Sequence, residues 1–174
     1  MGGLGHLAVK LASAMGAEVT VLSQTLRKRD DGLAFGAQHF HATSDPATFA
    51  LLARSFDLIL NTVSAPLDLD AYLGLVALDG TFVSVGAPPE PASVTLFTLF
   101  TNRRRFAGSS IGGIQETQEM LDFCAEHGVV PEVEVIPADA INEAWENVVA
   151  GDVRYRYVVD AATIAGGSTD PDAA

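Results

Sequence analysis

Along the first stretch of the chain, Leu4, Leu7, Ala8, Leu11, Ala12 and Met15 recur at helical spacing, and Gly16 ends the pattern. Residues 17–22 then read as a buried strand. The period keeps switching from here on. Residues 26–35 predict a short helix closed by Gly36, and residues 38–41 a short strand. Asp45-Pro46 opens a helix to residue 54, with proline in the first turn, where its missing N–H costs little. Residues 56–62 are apolar enough to predict a central strand covered on both faces. Residues 67–78 read as a helix, Asp79-Gly80 as a turn, and residues 81–86 as another strand. Ala87-Pro88-Pro89-Glu90-Pro91 breaks the pattern, and residues 95–100 fit either state. A strand at 106–109 and a helix at 115–127, closed by Gly128, follow.

Helical and strand periods in alternation predict an α/β fold built on a doubly wound parallel sheet. The last part of the chain changes character, with short strands at 133–136 and 154–159 around a helix at 138–149. That arrangement suits a return to a second structural unit better than another repeat. The predicted division is therefore residues 1–130, a nucleotide-binding domain; 131–162, the returning segment; and 163–174, a disordered tail, given its Gly-Gly-Ser-Thr-Asp-Pro-Asp composition.

The chemistry enters at the start of the chain. Gly2 and Gly5 fit the second and third glycines of G-x-G-x-x-G, and the helix that they open offers its N-terminal amides and dipole to a pyrophosphate. The strand that precedes this motif in a complete βαβ unit is absent from the sequence, so the first strand of the sheet is expected to be missing. An NAD site places Asp or Glu about twenty residues after the glycines to hold the ribose hydroxyls. Ser23 stands there, followed by Gln24, Thr25, Arg27 and Lys28. Two readings are open: a 2′-phosphate site, and a surface helix start with ordinary charges. The missing acid favours NADP.

Composition narrows the class. The 174 residues carry a formal charge of −12, which disfavours nucleic acid and anionic membranes as partners. Positive charge gathers at Arg27-Lys28-Arg29 and at Arg103-Arg104-Arg105, the second run reading as a solvated face. A mean hydropathy of +0.26 and 48% hydrophobic residues predict a compact globule. No apolar stretch reaches the ~18 residues of a membrane span. With no signal-like opening and Cys124 as the single cysteine, a reducing, cytoplasmic setting is expected. His6 reads as a helix-packing residue, His39, His41 and His127 as incidental, and Trp145 as core.

Several segments together resemble the cinnamyl alcohol dehydrogenase branch of the zinc-dependent medium-chain alcohol dehydrogenases. They are Gly2-Gly3-Leu4-Gly5-His6-Leu7-Ala8-Val9-Lys10, residues 23–28, 57–64, 110–113 and 116–123, and above all Asp152-Val153-Arg154-Tyr155-Arg156-Tyr157-Val158-Val159-Asp160. The resemblance, which runs to about residue 162, implies a Rossmann cofactor domain, NADPH, and reversible reduction of aldehydes to primary alcohols. It puts Gly2, Gly3, Leu4 and Gly5 at the pyrophosphate and Ser23, Gln24, Thr25 and Lys28 around the 2′-phosphate. Thr62 and Val63, then Val85, Gly86 and Ala87, fall beside the nicotinamide ribose and carboxamide, although Thr62 and Val63 equally suit the end of a buried strand. Ser110 and Ile111 border the ring. Arg154 matches an arginine that reaches the pyrophosphate, with Arg156 an alternative two residues on. The resemblance also implies a homodimer formed through the cofactor domain, at about residues 104–110 and the apolar residues just before them.

The family's chemistry uses a catalytic zinc held by Cys and His, and a cysteine cluster for structural zinc. One cysteine and four scattered histidines supply ligands for neither, so no metal-binding or catalytic residue is assigned. The chain is therefore read as the cofactor-binding portion of a longer NADP-dependent dehydrogenase, inactive alone and needing a further domain for its alcohol or aldehyde. The alternatives are a free-standing NADPH-binding or regulatory module, and a zinc-free quinone-reductase-like oxidoreductase.

Overall fold

The computed structural model describes residues 1–166. Met1 and Gly3–Val129 form one unit; the residues from Val130 onward, with Gly2, form a second.

In the first unit, α1 (Gly3–Ala14) leads to β1 (Thr20–Ser23), and a 3₁₀ turn (Leu26–Lys28) runs into α2 (Arg29–Ala34) and β2 (His39–Ala42). Then come α3 (Pro46–Leu51), β3 (Phe56–Asn61), α4 (Leu69–Gly74), β4 (Val76–Ser84), α5 (Leu96–Phe100), β5 (Arg105–Gly108) and α6 (Ile114–His127). Local chemistry sets several of these ends. Asp45 and Asp68 accept from Ala47 N–H and Ala71 N–H and so cap α3 and α4. Gly16 and Gly128 end α1 and α6 at φ 85° and 66°, a conformation that glycine adopts without steric cost.

Every ladder is parallel. β1 pairs with β2, and β3-β4-β5 form a three-stranded sheet, so β1 and β3 share no hydrogen bonds among the described residues. A doubly wound sheet has the order 3-2-1-4-5-6. With its leading strand removed, that order becomes β2-β1, a gap, then β3-β4-β5, which is the arrangement observed. The two faces are separately covered. Val21 packs with Val9 of α1 and with Ala37 and Phe40, whereas its neighbour Leu22 packs against the cluster of Ile59, Leu69, Leu73, Leu75, Val76 and Phe82. Adjacent strand residues point to opposite faces, so α1 and α4 cover opposite sides of β1. The fold is thus a parallel, doubly wound α/β sheet of Rossmann type, with no strand between β1 and β3 among the described residues.

Four local expectations need correction. The helix predicted at 67–78 stops at Gly74, because Val76 begins β4 beside Phe56; the register then jumps so that Leu58 meets Thr81, with Asp79 at φ 61° in the loop-out. The face of β3 carrying Leu58 and Leu60 is exposed, so this strand is covered on one side only. On α1 the buried residues are His6 and Val9, while Leu4, and Met15 just after the helix, lie in solvent. In the Arg103-Arg104-Arg105 run, Arg104 is part-buried, its guanidinium donating to the carbonyls of Val76 (2.9 Å) and Thr98 (2.9 Å), while Arg103 pairs with Asp79.

The second unit is a small βαβ of its own. β6 (Glu134–Ile136) and β7 (Tyr157–Val159) are parallel partners joined by a 3₁₀ turn (Ala138–Ala140) and α7 (Ile141–Ala150). Ala144, Val153 and Tyr155 are buried. Trp145, expected in a core, is 71% exposed, since Ala144 rather than Trp145 occupies the buried side of α7. The strand expected from residue 154 begins at Tyr157, leaving Arg154 and Arg156 outside it. Residues 161–166 form a 3₁₀ helix where a tail was expected from 163; the remainder of that tail lies outside the described residues.

Candidate functional site

Helix α1 brings its N-terminus to the carboxyl ends of β1 and β3, on either side of the gap in the sheet. At β1, the Met1 amine donates to Ser23 Oγ at 3.0 Å. Burial, and after it the charge of Lys28, lowers the pKa of that amine, which places Lys28 beside the same corner. At β3, a Cβ added to Gly5 would lie 3.3 Å from Thr62 Oγ1 and 3.4 Å from Met1 Cγ. Gly2 has no atom within 4 Å of the same imaginary Cβ. The backbone just before this twelve-residue helix is therefore uncrowded at Gly2. Gly3 is half-buried at the first position of α1, with Leu4 exposed beside it.

The segment after β1 is built around a cap. Thr25 Oγ1 accepts from Arg27 N–H at 3.4 Å and starts the 3₁₀ turn, which carries Lys28 to a buried position, while Gln24 is exposed. Ser23, Gln24, Thr25 and Lys28 thus follow one another around the end of β1.

Across the gap, the loops after β3 and β4 are drawn together. Val85 N–H and Gly86 N–H both donate to Asn61 C=O, at 2.9 and 3.0 Å. Val63 N–H donates to Asn61 Oδ1 at 3.0 Å, Asn61 Nδ2 donates to Ser84 Oγ at 3.2 Å, and Ser84 Oγ donates to Gly86 C=O at 2.8 Å. A Cβ on Gly86 would stand 2.3 Å from Val63 O, so only glycine permits this approach. Thr62, Val63, Val85, Gly86 and Ala87 are brought together here. Ser109 N–H donates to Ser84 C=O at 3.1 Å, which carries the chain to Ser110 and Ile111, both exposed. Arg154 belongs to the second unit, where its N–H donates to Glu134 Oε1 at 2.9 Å.

Asn61 and Ser84 escaped the sequence reading, although each is a polar residue closing an apolar strand and the register makes them partners. Asn61 is buried at the centre of the site. Next to these strand ends lies a cavity of about 250 Å³ lined by Asn61, Ser84, Leu67, Leu69, Pro88 and Phe106, among others. His6, wholly buried with its ring 5.9 Å from that of Phe35, packs α1 as expected.

Residues 3–126 match the profile of the family described as zinc-binding dehydrogenase. The chain belongs to the zinc-binding dehydrogenase family. Among proteins of this kind it is 65% identical over 164 residues to NADP-dependent alcohol dehydrogenase C 1 of Mycolicibacterium smegmatis, covering 94% of this chain and 47% of that protein. It is 60% identical, with the same coverage, to the probable formaldehyde dehydrogenase AdhA of Bacillus subtilis. The Sorghum bicolor cinnamyl alcohol dehydrogenase SbCAD4 superposes with a TM-score of 0.90 at 42% identity, over 92% of this chain and 46% of that one. The Helicobacter pylori cinnamyl alcohol dehydrogenase complexed with NADP(H) gives 0.82 at 39% identity, over 91% and 45%. The resemblance to the cinnamyl alcohol dehydrogenase branch holds, and the chain spans about half the length of the relatives it matches.

The donors of this chain do not fit a zinc ion: among the described residues no three His, Cys, Asp or Glu side chains converge as a metal would require. The uncrowded backbone at Gly2, just before the N-terminus of α1, is compatible with a bound dinucleotide. No helix among the described residues is long and apolar enough to cross a membrane.

Proposed function

We propose that this chain is the NADP(H)-binding portion of a zinc-family alcohol dehydrogenase that interconverts aldehydes and primary alcohols, and that it does not run that reaction by itself. The observation that carries the reading is the open N-terminus of α1, set between Ser23 and Thr62 at the carboxyl ends of β1 and β3. Ligands of doubly wound sheets bind at such a point. When bound, NADPH supplies the hydride. The chain's own residues bind and orient. The α1 amides and dipole hold the pyrophosphate, with Gly2 leaving room for it. Ser23, Gln24, Thr25 and Lys28 surround the 2′-phosphate, and no acidic side chain stands at the end of β1 to repel it. Thr62, Val63, Val85, Gly86 and Ala87 form the nicotinamide side, with Ser110 and Ile111 bordering the ring. The likeness to NADP-dependent relatives and to the Helicobacter pylori enzyme complexed with NADP(H) supports this choice of cofactor.

The same unit pairs with a second copy through β5 and α5. In support, β5 is a sheet edge bonded only to β4 among the described residues, and Phe97 and Phe100 of α5 are 76% and 65% exposed. A cytoplasmic setting suits a chain with one unpaired cysteine.

Calorimetric titration with NADPH and NADH in one low-salt buffer tests the cofactor. NADPH is expected to bind more tightly, and Lys28→Ala to weaken it by about tenfold or more, the scale of one charge-assisted hydrogen bond. Equal affinities, or an unchanged NADPH affinity in the variant, would refute the assignment.

A further inference from the structure

We propose that Asn61, acting through Ser84, is a positioning residue for the nicotinamide half of the cofactor; this rests on the reading of the site given above. The bonding has one direction, and that direction fixes the amide. Val63 N–H can only donate, so Asn61 must turn Oδ1 towards it (3.0 Å). Nδ2 then faces Ser84 Oγ (3.2 Å), with Val63 C=O at 3.5 Å as a weaker second partner. Ser84 Oγ, having accepted, has its own proton left to donate, and Gly86 C=O receives it at 2.8 Å. Asn61 C=O meanwhile takes the N–H groups of both Val85 and Gly86.

One buried residue thereby holds Val63 on the loop after β3 and both Val85 and Gly86 on the loop after β4. These are backbone stretches that a ring bearing a carboxamide must meet at fixed spacing, because a planar amide needs its donors and acceptors placed beforehand. Nothing in this network reaches the Ser23–Lys28 side of the gap. Asn61 therefore acts on one half of the ligand only. Leucine or alanine at this position keeps the backbone carbonyl that Val85 and Gly86 use, but leaves Val63 N–H and Ser84 Oγ without their side-chain partner; a carboxylate keeps the bond from Val63 but loses the donation to Ser84.

The test exploits this division. The 174-residue chain and its Asn61→Ala and Ser84→Ala variants are titrated with NADPH and with adenosine 2′,5′-bisphosphate, which carries the 2′-phosphate but no nicotinamide. The expected result is that both variants bind the bisphosphate as the unaltered chain does and lose about tenfold in NADPH affinity, Ser84→Ala losing less. NADPH affinity unchanged in both variants overturns the proposal. Parallel loss of both ligands also overturns it, since Asn61 would then support the fold rather than the half-site. If the unaltered chain binds the bisphosphate but gains nothing from the nicotinamide, the proposal falls alone. Binding of neither ligand to the unaltered chain refutes the cofactor reading itself and the proposal with it.

Discussion

Replacing Gly86 by alanine is expected to cost about 2 kcal/mol of stability, and the figure follows from the loop geometry. The new methyl would stand 2.3 Å from Val63 O, 2.5 Å from its carbonyl carbon and 2.8 Å from its nitrogen. All three are backbone atoms with no side-chain freedom to yield, so the loops must part by about 1 Å to reach ordinary contact distances. That displacement breaks or weakens the bonds from Val85 N–H and Gly86 N–H to Asn61 C=O and from Ser84 Oγ to Gly86 C=O, now 2.9, 3.0 and 2.8 Å. Each is worth about 1 kcal/mol net. Two or three lost bonds agree with the ~1–3 kcal/mol that overpacking usually costs. Loss of backbone freedom in the unfolded chain returns ~0.4–1 kcal/mol. For a chain of this size the net change lowers the melting temperature by about 4–8 °C. The assay is urea unfolding followed by circular dichroism, with Gly2→Ala as the control. That position has open space, so its change should stay within ~0.5 kcal/mol. A Gly86→Ala protein as stable as the control would refute the close-approach argument.

Three further outcomes are expected. Sedimentation at micromolar concentration should show a dimer, and Phe97→Glu should shift it towards monomer; a monomer in the unaltered protein would count against pairing through α5 and β5. Hydrogen bonding from Thr95 holds the Asp70 carboxyl below its ordinary value, so the stability it contributes is fully present above the unfolded carboxylate pKa of ~3.9 and is lost as the pH falls through the folded one. Asp70→Asn should therefore lower the urea midpoint at pH 6 and lower it less at pH 3, and a difference that ignores pH would sink the assignment. Purified 174-residue protein should not consume NADPH with cinnamaldehyde or benzaldehyde, with or without added zinc, and sustained turnover would show that the chain suffices for the reaction.

The alternation of periods was enough to read the fold class, because helices and parallel strands bury opposite patterns and the glycines after α1 and α6 mark their ends chemically. The errors arose where tertiary contacts overrule a local pattern. Val76 continues the helical period of α4, yet it leaves the helix to lie beside Phe56 in β4. Leu58 and Leu60 look like the second buried face of a central strand, but cover depends on what packs there, and no strand sequence specifies that. Trp145 follows the amphipathic period of α7 and still lies in solvent, since Ala144 takes the buried side. The position of Gly2 and Gly5 at the start of α1 and of Ser23 at the end of β1 was legible from their spacing. Asn61 and Ser84 were not, because their significance is a cross-strand pairing that appears only when β3 and β4 are aligned.

The gap between β1 and β3 bears on how this protein comes apart. With no ladder across it among the described residues, the leaf of β1 and β2 is joined to the leaf of β3, β4 and β5 by side-chain packing, such as that of Leu22, and by the connecting chain. Packing without hydrogen-bonded continuity sets a lower ceiling on cooperative opening, so amides of β1 and β2 should exchange with solvent at lower free energy than those of β4, which among the described residues is the only strand bonded on both sides. A dinucleotide lying across the end of α1 would touch both leaves. Its binding energy would then also be a tie between them, slowing exchange on the side remote from each contact, and the ligand would stand in for part of the continuity that a central strand gives a sheet.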